Sequence, residues 1–309
     1  MRIDIVEDDQ MKSKMKLMRK SMTTFVTMSL LLTLCLVGSV QAQNATEGSS
    51  SNAPRYNFSP VNQYSLDLMG KYWNPILDYV SERSGVRLSL RLGRTSAEST
   101  AIVLAGDSDF AFTNHMFSPE RMKLRWRVFG RRNGPPVSGQ IVVFAQSPIK
   151  ALSELEGKTV AFPGAEALLS YKVPMAQLNE QKIDVFSVFG GNLDAAFSQM
   201  LAGRADAIGS NSQMVAEYTV RENRKFRVLW SSPPFNDLAL MVSPRVPLAH
   251  TQAVAKAFLG MHEDPVGKQV LENASNTIKS KTQLFFIAAT DAEYDAYRDF
   301  YRRYPVRLH

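Results

Sequence analysis

The chain has 309 residues, of which 45% are hydrophobic and 21% are charged, and its formal net charge is +7. These values are typical of a globular protein with two modest domains or one large domain. The single cysteine, Cys35, lies in an N-terminal apolar run. The rest of the chain therefore has neither a disulfide framework nor a thiol nucleophile.

The first 42 residues have the layout of a secretory signal peptide. Basic residues within 12–20 precede an apolar run at 25–38, and small residues at Val40 and Ala42 predict cleavage after Ala42. An uncleaved membrane anchor is the alternative, although a membrane span needs about 20 apolar residues.

Residues 43–53 are rich in Ser, Asn and Ala, which predicts a flexible tether before the fold. Translation begins at Met1 or at Met11, because the acidic residues between them are unusual for a signal peptide. In either case we expect the mature protein, which follows Ala42, to be periplasmic.

The first part of the fold alternates strands and helices. Strands are predicted at 56–58, 86–92 and 109–112, because apolar residues there alternate or form short buried runs. One helix ends at Gly85, and Asn74-Pro75 marks either its start or a kink in it. A second helix is predicted over residues 96–104.

A basic run covers residues 121–132, with Trp126 among its arginines and lysines. A nucleic-acid patch and a solvated charged face are the two interpretations. A secreted protein rarely meets nucleic acid, so we predict a solvated face and no nucleic-acid partner.

Residues 143–237 follow a new strand–helix rhythm, centred on the Gly-Gly turn at Gly190 and Gly191. A strand at 184–189 leads into the turn, Asn192 is a predicted N-cap, and a helix with one apolar face follows. A helix N-terminus at the carboxyl end of a strand suits an anionic or polar ligand. A purely structural connection that binds nothing is the alternative.

No catalytic constellation stands out. The histidines are scattered without metal-ligand spacing, and the motifs of serine hydrolases, P-loop proteins and zinc proteases are absent from the sequence. We therefore predict a non-enzymatic protein without a metal or cofactor. Binding between two lobes is the function that this pattern favours.

Several stretches resemble the periplasmic substrate-binding proteins of phosphate/phosphite/phosphonate-type ABC transporters. The resemblance covers essentially all of residues 54–304, and the order and spacing of its motifs are fairly specific. The stretches that carry it are Ser147-Pro148-Ile149-Lys150, residues 157–162, Val173-Pro174, residues 190–196, 202–207, 227–234 and 264–267, and residues 290–294.

The resemblance implies a type II periplasmic-binding fold of class α/β. Two lobes joined by two crossing strands would close on a small ligand, and the closed form would dock on a membrane permease. We expect lobe 1 to comprise residues 54–142 and 238–309, and lobe 2 to comprise residues 143–237. The family also implies a monomer.

Three departures from the family pattern concern the ligand. The family's Ser/Thr-rich oxyanion turn is replaced by Ala167-Leu168-Leu169, its histidine in the second turn by Asn192, and its acidic residue by Asn211. A strongly charged phosphonate would therefore find fewer donors, and a less charged or more apolar solute would fit equally well.

The candidate ligand site combines loops of both lobes at the carboxyl ends of strands. Its predicted members are Asn62, Gln63, Tyr64, Thr113, Asn114, His115, Glu166, Ser170, Tyr171, Gly191, Asn192, Ser210, Asn211 and Ser212. The predicted function is the solute-binding component of an ABC importer, with a phosphonate- or phosphite-like oxyanion among the candidate ligands. The alternatives are a sensor of the same fold that reports to a membrane kinase and, with less support, an enzyme on this fold.

Overall fold

The computed structural model describes residues 53–280 and 282–304. The predicted signal peptide, residues 1–42, lies outside the described residues, as does nearly all of the predicted tether, residues 43–53. Within the described part, no helix combines the length and the apolar character that a membrane crossing requires.

The first of two sheets contains six strands: β1 (Arg55–Pro60), β2 (Arg87–Leu90), β3 (Phe110–Thr113), β4 (Arg127–Arg132), β10 (Ala239–Val242) and β11 (Phe286–Ala288). Their order is β11-β4-β10-β3-β1-β2. Strands β1, β2 and β3 are parallel, whereas β10 is antiparallel to both β3 and β4. The carboxyl ends of β1 and β3 therefore lie at one edge of the sheet.

The second sheet contains five strands: β5 (Val137–Phe144), β6 (Thr159–Phe162), β7 (Phe186–Phe189), β8 (Ala207–Asn211) and β9 (Phe226–Phe235). Their order is β7-β6-β8-β5-β9, with β6, β7 and β8 parallel. The chain passes from the first sheet to the second between β4 and β5, and it returns between β9 and β10. We call each sheet with its helices lobe 1 and lobe 2.

Helices cover both sheets. They are α1 (Leu66–Ser84), α2 (Ser96–Leu104), α3 (Pro119–Met122), α4 (Val173–Glu180), α5 (Leu193–Leu201), α6 (Ser212–Arg221), α7 (Leu248–Leu259), α8 (Pro265–Thr277) and α9 (Asp295–Arg303). Short 3₁₀ turns cover Leu152–Leu155 and Asp291–Tyr294, and a π-helical segment covers Leu168–Lys172. The predicted helix at 96–104 and the predicted strands therefore form, with bounds that differ by a few residues.

Helix α1 packs on the first sheet through one buried face. Trp73 lies at its centre, with ring centroids 4.8 Å from Phe58 and 5.2 Å from Phe112. The helix begins at Leu66, so Pro75 lies inside it rather than at its start. Apolar burial on this face outweighs the lost hydrogen bond that proline imposes on a helix interior.

The predicted Gly-Gly turn and its helix form as the sequence indicates. Gly191 has φ +88°, a conformation that favours glycine, and a Cβ on it would lie 3.2 Å from Thr95. The Asn192 side chain caps α5 by accepting a hydrogen bond from Ala195 N–H over 2.8 Å. The turn therefore brings the start of α5 against lobe 1.

The prediction of a solvated face for residues 121–132 is wrong for two of its arginines. Arg121 is 6% exposed and Arg132 is 1% exposed, and each forms an ion pair with a carboxylate. Lys123, Arg125 and Arg127 are exposed as expected, whereas Arg131 is half-buried and paired with Glu293. The second half of the run forms strand β4, which was not predicted because its many charged residues do not follow the usual pattern of a strand.

Candidate functional site

A cavity lies where the loops after β1 and β3 meet the helix starts of lobe 2. The space open to the centre of a water-sized molecule is about 50 Å³. The lining residues are Val61, Asn62, Gln63, Ser96, Asn114, His115, Val137, Pro163, Ala167, Leu168, Leu169, Ser170, Leu193, Asn211, Asp237, Leu238 and Tyr297.

Helix N-termini from both lobes converge on this cavity. Ser96 is the first residue of α2, Leu193 is the first residue of α5, and Asn211 is the N-cap of α6. Leu168 begins the π-helical segment. The first N–H groups of a helix have no partner within it, and the helix dipole adds partial positive charge there. The cavity therefore suits negative charge without a cationic side chain in its lining.

The polar side chains that line the cavity are mostly neutral. The Asn114 side chain is hydrogen-bonded to Tyr297, whereas Gln63 and Ser170 also line the cavity with neutral polar side chains. The side-chain carbonyl oxygen of Asn211 accepts a hydrogen bond from Met214 N–H over 2.9 Å. The side-chain NH₂ group of Asn211 is therefore left as a donor. These groups provide directional hydrogen bonds without a net charge.

Asn62 has a structural role at the edge of the cavity. Its NH₂ group donates to the Gly93 carbonyl over 2.9 Å, and its carbonyl oxygen accepts from the Ser99 hydroxyl. Both groups of the side chain are therefore occupied. The residue fixes the loop after β1 against α2 and leaves Gln63 to face a ligand.

His115 contributes a neutral ring to the lining. The pKa of His115 is lowered to about 3, mainly by burial; Glu166 opposes this shift, and the nearby cations Arg121 and Lys172 contribute to it. Nδ1 lies 2.7 Å from the Thr100 hydroxyl oxygen. The ring is therefore uncharged at neutral pH and is held in one orientation.

One buried charge cluster, the Glu166 cluster, adjoins His115 and consists of Arg121, Glu166 and Lys172. Arg121 donates to Glu166 over 2.7 Å and to the His115 carbonyl over 3.0 Å, while the Lys172 ammonium lies 3.8 Å from Glu166. Burial raises the pKa of Glu166, but Lys172 and Arg121 outweigh burial and hold the pKa below its usual value. The cluster has two cations for one buried carboxylate.

A second buried cluster, the Asp237 cluster, consists of Arg132, Asp237, Glu217, Gln213 and Tyr64. Arg132 donates to both carboxylate oxygens of Asp237, over 2.6 and 3.2 Å. Tyr64 donates to Glu217 over 2.7 Å. Asp237 is therefore already neutralised where it lines the cavity.

Direct contacts join the lobes around the cavity. Ser96 N–H donates to the Gly191 carbonyl over 2.8 Å, and Ser65 N–H donates to the Asp194 carboxylate over 2.9 Å. The bond from Tyr64 to Glu217 also crosses from lobe 1 to lobe 2. The two lobes are therefore in direct contact beside the cavity.

The structure brings part of the predicted site together. Six predicted residues line the cavity: Asn62, Gln63, Asn114, His115, Ser170 and Asn211. The other eight predicted residues have other roles. Tyr64 and Glu166 belong to the two charge clusters, and Thr113 and Gly191 accept hydrogen bonds from backbone N–H groups. Tyr171 packs against Phe162, Asn192 caps α5, Ser210 is buried in β8, and the Ser212 hydroxyl accepts a hydrogen bond from Ser138 N–H.

Sequence reasoning missed several lining residues. Ser96 and Leu193 begin helices that were predicted, so the signal for them was present but unused. Asp237 and Tyr297 reach the cavity from the return segment and from α9. No local pattern marks those two residues, because tertiary packing alone brings them to the site.

A family model described as ABC transporter, phosphonate, periplasmic substrate-binding protein matches residues 58–294. No curated protein sequence matches the chain. The family consists of substrate-binding proteins rather than enzymes, in agreement with the prediction from sequence.

Solved structures share the fold at low sequence identity. A binding component of an ABC phosphonate transporter from Pseudomonas aeruginosa is 15% identical, with a TM-score of 0.69 over 81% of this chain and 86% of that chain. PhnD1 from Prochlorococcus marinus, in complex with methylphosphonate, is 17% identical, with a TM-score of 0.67 over 82% of this chain and 98% of that chain. A Xanthomonas citri protein bound to ATP is 15% identical, with a TM-score of 0.63 over 82% of this chain and 99% of that chain.

These likenesses confirm the two-lobed type II periplasmic-binding fold predicted from the sequence. Family membership implies a small-molecule ligand, a membrane permease as partner and a periplasmic location. The chain belongs to the family of periplasmic substrate-binding proteins of phosphonate-type ABC transporters.

Proposed function

We propose that this protein binds a small phosphorus oxyanion with a compact apolar substituent, such as methylphosphonate or phosphite, and delivers it to an ABC permease. The observation that carries this proposal is a small cavity at which helix N-termini meet and which no lysine or arginine of the described residues lines. Size, charge and the apolar wall each support it.

The volume of the cavity limits the size of the ligand. A space of about 50 Å³ for the centres of water-sized molecules accommodates roughly three to five such groups. Methylphosphonate and phosphite have about that many heavy atoms. A nucleotide or a sugar phosphate would need the lobes to open and their direct contacts to break.

The charges at the cavity suit an anion of low charge. Helix N-termini provide backbone donors, and Asn211 and Ser170 add neutral side-chain donors. The Glu166 cluster adds an excess of one cation behind the lining. The only lining carboxylate among the described residues, Asp237, is bound by Arg132 and repels an anion less for that reason.

One wall of the cavity is apolar. Leu168, Leu169 and Leu193 line it together with Val137 and Leu238. A methyl group or a hydrogen on phosphorus would contact this wall without an unpaired polar group. An aminoalkyl substituent would bury an ammonium ion with no free carboxylate to pair with it, which is costly. We therefore expect 2-aminoethylphosphonate to bind more weakly than methylphosphonate.

PhnD1 from Prochlorococcus marinus, whose structure contains methylphosphonate, supports the choice of ligand. The predicted hinge closure, the predicted monomer and the predicted site residues remain part of this proposal. The sensor alternative remains a prediction, because a kinase receptor and a permease would both contact the outer surfaces of the lobes.

Isothermal titration calorimetry on residues 43–309 tests the proposal. The ligands are methylphosphonate, phosphite, 2-aminoethylphosphonate and methanesulfonate, which has the shape of methylphosphonate but contains sulfur. We expect binding of the first two, weaker binding of the third and little binding of the fourth. Heat only from methanesulfonate or from uncharged solutes would contradict the proposal.

Two serine variants locate the binding site. Ser170→Ala removes a cavity hydroxyl without a protein partner, so we expect an unchanged melting temperature of the free protein and a dissociation constant raised roughly threefold to tenfold. Ser187→Ala, at an exposed position on β7, is the matched control and should bind as the parent protein does. Equal affinities in all three proteins would place the ligand elsewhere.

A further inference from the structure

We propose that His115 accepts a hydrogen bond from a proton carried by the ligand, so that the cavity selects a singly protonated phosphonate over the dianion. This inference rests on the proposed function, since it concerns the same cavity and the same class of ligand. It follows from the position of the proton on the His115 ring and from the charges that face the ring.

The Thr100 hydroxyl fixes the tautomer of His115. That hydroxyl donates to the Ser96 carbonyl over 2.9 Å, so its single proton is already committed. Its oxygen lies 2.7 Å from Nδ1 of His115 and therefore accepts a hydrogen bond from this nitrogen. Nδ1 carries the proton of the neutral ring, and Nε2 is left with a lone pair.

Nε2 is the ring nitrogen available to a ligand. It has no hydrogen-bond partner among residues 53–280 and 282–304, and it is not one of their enclosed polar atoms without a partner. The space bounded by Thr100 on the other side of the ring measures only about 10 Å³, which holds one water at most. A ligand therefore reaches His115 from the larger cavity.

Three charged groups face the ring from neighbouring segments, and they keep it neutral. The pKa of His115 is lowered to about 3, mainly by burial, with Glu166 opposing and Arg121 and Lys172 supporting the shift. His115 therefore does not become a cation when the pH is near neutral. It offers a lone pair to the ligand instead.

The remaining titratable groups near the cavity do not provide that proton. Asp237 lines the cavity and is held in an ion pair with Arg132. Tyr297 and Tyr301 project from α9, and burial raises the pKa of both phenols well above the usual value. A protonated phosphonate oxygen can donate a hydrogen bond to Nε2 of His115. An oxygen of the dianion has no proton, so its lone pair would face the lone pair of Nε2 and the two would repel each other.

Proton uptake on binding tests the proposal. Calorimetry at about pH 8.5 in two buffers of different ionisation enthalpy counts the protons that enter the complex. Methylphosphonate is mostly a dianion at this pH, so we expect uptake of close to one proton. Above the second pKa of the ligand, its apparent affinity should fall about tenfold per pH unit.

Dimethylphosphinate is the matched ligand control, because it is a monoanion of similar shape without an OH group. We expect it to bind more weakly than methylphosphonate at pH values near 6.5 and without proton uptake. Proton uptake with dimethylphosphinate as well would show that a protein group takes up the proton, either His115 or Lys172, whose pKa burial lowers, and this would overturn the inference.

The Thr100→Val variant tests the tautomer. Without the hydroxyl, Nδ1–H has no acceptor, so the proton moves to Nε2 and the ring becomes a donor to the ligand. We expect proton uptake to fall towards zero in this variant. Unchanged uptake would contradict the assigned tautomer.

The two proposals fail in different ways. Methylphosphonate binding without proton uptake in the parent protein would overturn the role of His115 and leave the proposed function standing. No binding of any phosphorus oxyanion would overturn both.

Discussion

The two buried charge clusters beside the cavity use the same residue types in opposite ways. In the Asp237 cluster, Arg132 is matched by a carboxylate that receives two of its hydrogen bonds. In the Glu166 cluster, Arg121 and Lys172 share a single carboxylate, and the Lys172 ammonium has no hydrogen-bond partner among the described residues. The first arrangement ties its cation to one carboxylate through two hydrogen bonds and is structural, whereas the second places two cations around one carboxylate near the cavity.

The glutamates of the two clusters report the same difference. Burial raises the pKa of Glu217, and the hydrogen bonds from Tyr64 and Gln213 offset burial only in part. Burial also acts on Glu166, but there Lys172 and Arg121 prevail and the pKa is lowered. The electric field of the Glu166 cluster is therefore the one that favours an anion in the cavity.

Breaking the balanced pair should have the largest effect. Asp237→Asn leaves the Arg132 guanidinium buried without the carboxylate that accepts two of its hydrogen bonds, so we expect a loss of about 3–5 kcal/mol in the free energy of unfolding. Asp67→Asn is the matched control, because it breaks an exposed pair with Lys71 and should cost at most a few tenths of a kcal/mol. Urea denaturation of both variants measures the difference, and similar losses would contradict the structural role of Arg132 and Asp237.

Removing the surplus cation should weaken ligand binding rather than the fold. Lys172→Met keeps the buried apolar stem and leaves Glu166 paired with Arg121. We expect nearly unchanged stability and a methylphosphonate dissociation constant raised roughly threefold to tenfold, or about 0.7–1.4 kcal/mol. Lys158→Met makes the same change in net charge at an exposed site and should leave the affinity unchanged. Equal effects of the two variants would contradict a local role for Lys172.

The pH dependence of stability should have opposite signs for the two glutamates. The raised pKa of Glu217 means that its contribution is present at low pH and is lost as the pH rises above about 4.5 through the folded-state pKa. Glu217→Gln should therefore gain stability relative to the parent protein over that rise. Glu166 has a lowered pKa, so its contribution is present above about 4.5 and is lost as the pH falls through the folded-state pKa.

Unfolding measurements on Glu217→Gln and Glu166→Gln over a pH series check these directions. Glu166→Gln should have a lower free energy of unfolding than the parent protein near neutral pH, and this difference should disappear at acidic pH. If the free energy of unfolding of both variants, relative to the parent protein, changed with pH in the same direction, the contrast between the clusters would be contradicted.

The smallest expected effect concerns two asparagine caps. Asn192 and Asn211 accept the same type of N-cap hydrogen bond, over 2.8 and 2.9 Å, and serine would preserve both caps to within a few tenths of a kcal/mol. Only Asn211 lines the cavity. Asn211→Ser should raise the dissociation constant about threefold through loss of the NH₂ donor, whereas Asn192→Ser should not change it. Calorimetry measures the methylphosphonate dissociation constant of both variants. A larger increase for Asn192→Ser than for Asn211→Ser would place the ligand nearer the Gly-Gly turn.

Local signals in the sequence predict the elements that carry the site. The helix capped by Asn192 was predicted from its capping residue and its apolar spacing, and the helix at 96–104 from the stop signal Gly106-Asp107; such signals act over one or two turns. The loops after β1 and β3 were predicted to contribute to the site because strand ends follow directly from the strand pattern. Asn62, Gln63, Asn114 and His115 line the cavity on those loops.

The charge clusters could not be predicted in this way. The partners Arg121 and Glu166 are separated by 45 residues, and Arg132 and Asp237 are separated by 105 residues. In the sequence, both arginines belong to a basic run of the type that usually faces solvent. Only the packing of the lobes shows that the two arginines are buried and paired.

A crystal structure of residues 43–309 with methylphosphonate tests the central claim most directly. We predict closed lobes, with phosphonate oxygens about 3 Å from the Asn211 side chain and from backbone N–H groups at the starts of α5 and α6. The methyl group should contact Leu168 and Leu169, and one phosphonate oxygen should lie within hydrogen-bond distance of Nε2 of His115. A ligand bound outside this cavity, or a cavity that stays empty at saturating methylphosphonate, would contradict the account.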